Sequence, residues 1–178
     1  MEMIEQYNNA ELEITVGDVS NVEDIARFQV DMAMESEGLA LDYERVRRGV
    51  QAVMDDEAKG RYIIARLDGK VVACLMITRE WSDWNCCWYW WIQSVYVLPE
   101  YRGRGIYKAM YNKVLDLAKA EGVSQIRLYV DKDNSTAQAV YKKLGMAECH
   151  YCLYEKEMWM DDVLKMCYTI ICKLCLWM

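Results

Sequence analysis

Proline occurs once and histidine once in the 178 residues. With so little proline and only nine glycines, the chain is neither linker-rich nor collagen-like. No stretch approaches the ~18 apolar residues expected of a membrane-spanning helix. The first residues, MEMIEQYNNAELEI, carry neither the basic nor the apolar region of a secretory leader. Eight cysteines without a leader are expected to be reduced thiols of a cytoplasmic protein. Positive charge is also short: 21 Lys and Arg face 28 Asp and Glu, a net charge of −7. Such a chain repels nucleic acid and anionic membrane, and neither is expected as a partner.

What is present describes one globular domain. Hydrophobic residues make up 54% and charged residues 28%, enough for a single filled core. ELEITVG (11–17) alternates like a short strand. Ser20 and Glu23 form a capping-box pattern before VEDIARFQVDMAME, whose apolar residues recur at helical spacing. A second helix is expected from Asp42 to Asp55. RYIIARL and KVVACLMIT flank Asp68-Gly69, a hairpin signal, and CWYWWIQSVYV (87–97) has strand character. A helix from Arg104 stops at Gly122, QIRLYVD is a strand, and Asn134 or Ser135 caps a helix ending at Gly145. MAECHYCLYEK (146–156) reads as a last strand. The order β α α β β β α β α β implies an α/β (α+β) mixed sheet with helices on both faces.

Against the acidic background, residues 101–113 hold Arg102, Arg104, Lys108 and Lys113 and no carboxylate. They surround Gly103 and Gly105 at the mouth of a helix, where backbone N–H groups lack partners and carry partial positive charge. Glycines let an anion approach those amides closely, so a small anionic ligand fits. On its own RGRG is equally well a solvated basic turn. It is neither a dinucleotide GxGxxG nor a nucleoside-triphosphate loop.

Two motifs together carry more. VYVLPEYRGRGIY follows a strand and opens a helix, and N134-S-T-A137-Q-A-V-Y141-K-K-L-G145 follows in order. On these the chain, from residue 11 to about 156, resembles the GNAT superfamily of N-acetyltransferases. The resemblance implies a domain over 11–158, an apolar cysteine-containing tail over 159–178, and acetyl-CoA as cosubstrate. It further implies that the backbone of Val95, Tyr96 and Val97 pairs with the pantetheine arm. Amides of Gly103, Arg104, Gly105, Ile106, Tyr107 and Lys108, beside Arg102, would cradle the pyrophosphate. Asn134 would contact the cofactor, and Tyr141 would be the general acid near the sulfur. The departure is Tyr107, where the family motif usually ends in Gly or Ala. Its ring is expected to point away from the ligand.

Amine acetylation needs a neutral nitrogen, and deprotonating a lysine-like ammonium at neutral pH costs roughly 4 kcal/mol. Many relatives place a glutamate on the strand before the turn, where this chain has Gln93 beside Ser94. Glu35 and Glu37, in MAMESEG, are the substitutes for a base, or else a solvated helix end. Trp81, Asp83 and Trp84 form a possible border for a cationic acceptor, although aromatic residues more often fill cores. The expected acceptor is a small cationic amine, a polyamine or an amino-acid-like molecule. The alternatives are a protein lysine or N-terminal acetyltransferase, and a non-catalytic acyl-CoA sensor. Homodimerisation is consistent with the family.

Cys149-His-Tyr-Cys152 and Cys172-Lys-Leu-Cys175 have a zinc-site spacing. Strand geometry would send the first pair to opposite faces, so no metal is expected and His150 reads as a strand residue. The ending Cys175-Leu-Trp-Met loosely fits a prenylation box, which would attach the chain to a membrane only if Cys175 were lipidated.

Overall fold

The computed structural model describes residues 11–156. Its regular elements are β1 (Leu12–Val16), α1 (Val22–Glu37), α2 (Tyr43–Asp55), β2 (Arg61–Leu67), β3 (Lys70–Ser82), β4 (Cys87–Val97), α3 (Ile106–Ala120), β5 (Gln125–Leu128) and α4 (Ser135–Lys143). The strands lie in the order β1-β2-β3-β4-β5. The first four pair antiparallel, and β5 runs parallel to β4 after the α3 crossover.

Each face of the sheet has its own core. On one, Ile63, Val72, Leu75, Trp90, Ile92, Val95 and Val97 pack against Ile106, Met110 and Val114 of α3 and against Ala137 and Tyr141 of α4. On the other, Tyr62, Ile64, Cys74 and Tyr96 pack against Ile25, Phe28 and Met32 of α1 and Val50 of α2. Strand alternation produces this division: Trp90 and Ile92 turn to the α3 side, and Tyr89 and Trp91 turn to the other. The mixed sheet with helices on both faces is therefore as the element order implied.

The β2–β3 hairpin turns at Asp68 and Gly69 with φ of 50° and 79°, the doubly left-handed turn that Asp-Gly favours. At the start of α1, Asp18 and Asn21 form a reciprocal capping box around a short 3-10 turn that leads into the helix. The Ser20–Glu23 pattern is not the one used. Asp18 captures the hydroxyl and amide of Ser20, so Ser20 lies inside the turn and not at the helix cap. QIRLYVD is strand only over Gln125–Leu128. Residues 146–156 form no strand: Tyr151, Leu153 and Tyr154 are 72, 52 and 91% exposed. Alternation there supplies a strand pattern, but no ladder within the described residues pairs with it. The 159–178 tail, the second cysteine pair and Cys175 lie outside the described residues.

Candidate functional site

The ladder between β4 and β5 runs from Tyr89↔Gln125 to Ile92↔Leu128 and stops. Two residues later β4 is distorted. Between the pairs Met76↔Gln93 and Cys74↔Tyr96, β3 contributes Leu75 alone while β4 contributes both Ser94 and Val95. This is a β-bulge, and Ser94 takes a φ of 55° to make it. The bulge bends β4 where the ladder to β5 ends, so that past Ile92 this edge of β4, the cleft edge, has no strand partner among the described residues. Leu98 N–H donates to the Val72 carbonyl at 3.0 Å. Alternation thus turns the backbone groups of Leu98 and Tyr96 towards β3, and those of Val95 and Val97 towards the cleft.

Beyond the cleft, Pro99–Tyr101 form one 3-10 turn, and Gly103 and Gly105 take φ of 73° and 79° before α3 begins. A Cβ at either glycine would meet nothing within 4 Å, so left-handed backbone, not crowding, selects glycine here. Gly105 caps α3 with no side-chain hydrogen bond. The first-turn amides therefore have no capping side chain to satisfy them and can receive an anion. Arg104 lies 5.4 Å over the Tyr101 ring, and Lys108 is exposed on the first turn.

Arg102 is placed differently. Its Nε donates to the Val97 carbonyl at 2.8 Å, and its Nη2 meets Glu35 Oε2 at 2.7 Å. The other Glu35 oxygen accepts the Tyr96 hydroxyl at 2.8 Å, and the guanidinium lies 5.4 Å over the Tyr96 ring. Glu35 thus ties the last turn of α1 to β4 and to the glycine turn. Burial, then the bond to Glu35, pushes the Tyr96 phenol above the ordinary tyrosine range. Burial, then the nearby Glu35 charge, raises the Asp31 carboxyl. Glu37 is half-buried as the last residue of α1.

Tyr107 is 5% exposed and points into the core, its ring centroid 6.0 Å from that of Tyr141 in an edge arrangement and 6.2 Å from that of Tyr111. The side chain neither crowds the helix mouth nor turns to solvent. Tyr141 is 4% exposed in the same cluster. Asn134 caps α4, its Oδ1 accepting from Ala137 N at 2.9 Å. Gln93 lies on the α1–α2 face, with Nε2 3.4 Å from Thr78 Oγ1. Trp81 and Trp88 form an edge pair 5.0 Å apart at the far end of the β3–β4 hairpin, where Trp84 is 91% exposed. Trp81, Trp84 and Trp88 thus lie at the other end of the β3–β4 hairpin from the cleft.

The Ser94 bulge was not legible in the sequence, because a serine at positive φ has no composition signature. Nor was the Glu35–Tyr96–Arg102 tie, since Tyr96 and Arg102 lie 61 and 67 residues from Glu35. Among the described residues no cluster of three or more His, Cys, Asp or Glu could hold a metal ion. Cys149 and Cys152 are exposed thiols. No helix among the described residues is long and apolar enough to cross a membrane.

Comparison with known proteins bears on this arrangement. The acetyltransferase (GNAT) family profile matches residues 26–146. A possible acetyltransferase of Clostridium difficile 630 superposes with a TM-score of 0.78 at 41% identity, covering 84% of this chain and 99% of that one. Thialysine N-epsilon-acetyltransferase of Bos taurus is 41% identical over 68 residues, 38% of each chain. Mycothiol acetyltransferase of Corynebacterium aurimucosum is 31% identical over 120 residues, 65% of this chain and 39% of that enzyme. The chain thus spans well under half of the length of these two curated relatives.

Proposed function

Because the chain belongs to the acetyltransferase (GNAT) family, we propose that it transfers an acetyl group from acetyl-CoA to a primary amine on a small cationic molecule. The observation that carries this reading is the cleft: β4–β5 pairing ends at Ile92↔Leu128, the Ser94 bulge follows, and a glycine-opened helix mouth stands beyond it. An extended amide-bearing arm adds to a strand edge through the backbone groups of Val95 and Val97. A pyrophosphate finds the amides from Gly103 to Lys108, with Arg104 and Lys108 adding positive charge. Asn134, which caps α4, is the residue assigned to contact the cofactor.

In the reaction the amine nitrogen bonds to the acetyl carbon, the carbon–sulfur bond breaks, and CoA departs as a thiolate that takes a proton. Tyr141 is the donor in this reading, and a backbone amide of the bulged strand stabilises the oxygen that gains charge. The amine must first lose its own proton. Both oxygens of Glu35 are engaged by Arg102 and Tyr96, so Glu35 serves as a strut of the cofactor site, and Glu37 is the carboxylate assigned to the base role, acting directly or through water. The relatives named for thialysine and mycothiol chemistry support a small-molecule acceptor.

One observation favours a second reading, an acyl-CoA sensor without turnover: an amide, Gln93, stands where many relatives carry a glutamate. The test is mass spectrometry of a pool of polyamines, amino acids, aminoglycosides and lysine peptides incubated with acetyl-CoA and the protein. An acetylated small amine supports the transferase. Tight acetyl-CoA binding with no product supports the sensor, and an acetylated lysine peptide alone replaces the small acceptor with a protein one.

A further inference from the structure

The bulge beside the cleft edge leans on a thiol. Ser94 holds a φ of 55° there, a left-handed backbone that a residue with a Cβ keeps only where its surroundings impose it. Its carbonyl accepts from Cys74 Sγ at 3.8 Å. The same sulfur accepts from Gln29 Nε2 of α1 at 3.6 Å. Cys74 lies on β3 opposite Tyr96, next to the bulge, and is fully buried. Burial pushes the thiol up to about 12, so the S–H donor is kept at neutral and moderately alkaline pH. With Gln29 on the sulfur, the thiol proton is left for the carbonyl, and each bond strengthens the other.

The peptide joining Ser94 to Val95 turns that contact into aim. A peptide is planar and trans, so its C=O and N–H point in opposite directions. The Ser94 carbonyl faces the thiol, whose side chain packs on the α1–α2 side. The Val95 N–H therefore points away from it, towards the edge of β4 that β5 has left. Holding one end of the peptide plane holds the other.

We propose that Cys74, held by Gln29, is a positioning residue for acetyl transfer: it fixes the Ser94–Val95 peptide so that Val95 N–H meets the thioester oxygen as it gains charge. This rests on the acetyltransferase reading above and identifies what aims its oxyanion donor. The thiol itself touches neither acetyl-CoA nor the amine. A donor aimed at developing charge acts mainly in the transition state. A loosened peptide therefore lowers kcat and leaves acetyl-CoA affinity nearly unchanged. One S–H···O bond is weak, so its loss tilts the amide without removing it, and the effect is smaller than deletion of a donor. The other task open to a buried thiol is filling space, and two substitutions separate the tasks. Valine fills the site and cannot donate, whereas serine donates and fills it less well.

The experiment measures kcat, KM for acetyl-CoA and melting temperature in the wild type, Cys74→Ser, Cys74→Val and Gln29→Leu. The acceptor is whichever of spermidine, lysine, kanamycin and a lysine peptide the wild type acetylates fastest. Isotope-edited infrared spectra of bound acetyl-CoA, taken without acceptor, add the thioester carbonyl stretch, which falls as a hydrogen bond to that oxygen strengthens. Cys74→Val is expected to lower kcat about tenfold with KM within about threefold, and to raise the thioester stretch. Cys74→Ser is expected to keep the wild-type stretch and a kcat within about threefold of wild type, even where it melts lower than Cys74→Val. Gln29→Leu is expected to lower kcat by a smaller factor and to add nothing in the Cys74→Val background. An unmoved kcat or stretch in Cys74→Val, or a kcat that follows melting temperature across the variants, overturns the positioning role and leaves the transferase standing. Where Cys74→Val does not fold, Gln29→Leu on its half-buried position decides in its place, and an unmoved stretch there overturns the role. No product from any of these amines with the wild type overturns the transferase reading, and the positioning role with it.

Discussion

Replacing Glu35 by glutamine separates two tasks a carboxylate can perform at this site. As a general base, Glu35 would act only in the chemical step, and its loss would lower kcat and kcat/KM together by roughly 10²–10⁴. As a strut, it acts on the ground-state geometry of the glycine turn. The structure allows the strut to be weighed. Glutamine can keep its carbonyl oxygen on Arg102 and turn its NH2 to the Tyr96 hydroxyl, which can accept it, so the contact at 2.8 Å survives reversed while the contact at 2.7 Å loses its charged acceptor. A hydrogen bond to a charged group contributes ~1.5–3 kcal/mol. Partial exposure, 18% for Arg102 and 31% for Glu35, brings that to about 1–2 kcal/mol. One effect has the opposite sign, because removing the carboxylate also removes its repulsion of a bound pyrophosphate. At about 10 Å through water the two charges of a pyrophosphate diester give ~0.8 kcal/mol, which salt screening reduces further. The strut prevails.

Glu35→Gln is therefore expected to raise KM for acetyl-CoA about 5–30-fold, the factor corresponding to 1–2 kcal/mol, with kcat within about threefold and the pH profile of kcat unmoved. Steady-state kinetics from pH 6 to 10 with calorimetry of acetyl-CoA binding would measure this. A fall in kcat by two orders of magnitude with unchanged acetyl-CoA affinity would refute the strut and restore Glu35 as the base. A double-mutant cycle with Arg102→Gln supplies a further test: a strut gives strongly non-additive acetyl-CoA affinities, whereas independent residues add.

Gly105→Ala is expected to weaken acetyl-CoA binding and cost ~1–2 kcal/mol of stability, because φ is 79° there while a Cβ has open space; Gly105→Asn should recover part of both in thermal melts and calorimetry, and a neutral alanine would refute the conformational account. Tyr141→Phe is expected to lower kcat by about 10²-fold or more with little change in acetyl-CoA affinity, and an unchanged kcat would assign Tyr141 to packing alone. Burial pushes the Cys74 thiol up to about 12 from an ordinary 9.0. A raised thiol favours folding fully below its unfolded value and loses that contribution as pH rises from about 9 towards 12, at up to ~1.4 kcal/mol per pH unit. Urea titrations from pH 8 to 11 should show falling stability and a shallower fall in Cys74→Val, with identical slopes counting against the assignment.

How far this site could be read from residues alone depends on the distance over which each feature is encoded. Gly103 and Gly105 are local: two left-handed positions before an apolar-periodic helix leave a signature within a few residues, and the structure places them at the mouth of α3. The Asp68-Gly69 hairpin and the Asn134 cap are equally local, and both occur as spacing predicted. Ser94 marks the limit. The cleft exists because the β4–β5 ladder ends next to a bulge, a condition on two partner strands that serine does not announce. Glu35 makes the same point with charge. In sequence it is one of two acids at a helix end, chemically suited to removing a proton. In the fold, Tyr96 and Arg102 arrive at its two oxygens from 61 and 67 residues away, contacts that no local pattern encodes. Tyr107 reverses the case: its ring, in place of a small family residue, was expected to point away from the ligand, and the helix does carry it away, inward against Tyr141 rather than out to solvent. In all three, backbone and helix periodicity determine where a side chain goes, while tertiary partners determine what it does. A sequence pattern thus locates a glycine turn at a helix mouth more reliably than it foresees the tertiary partners of the side chains around it.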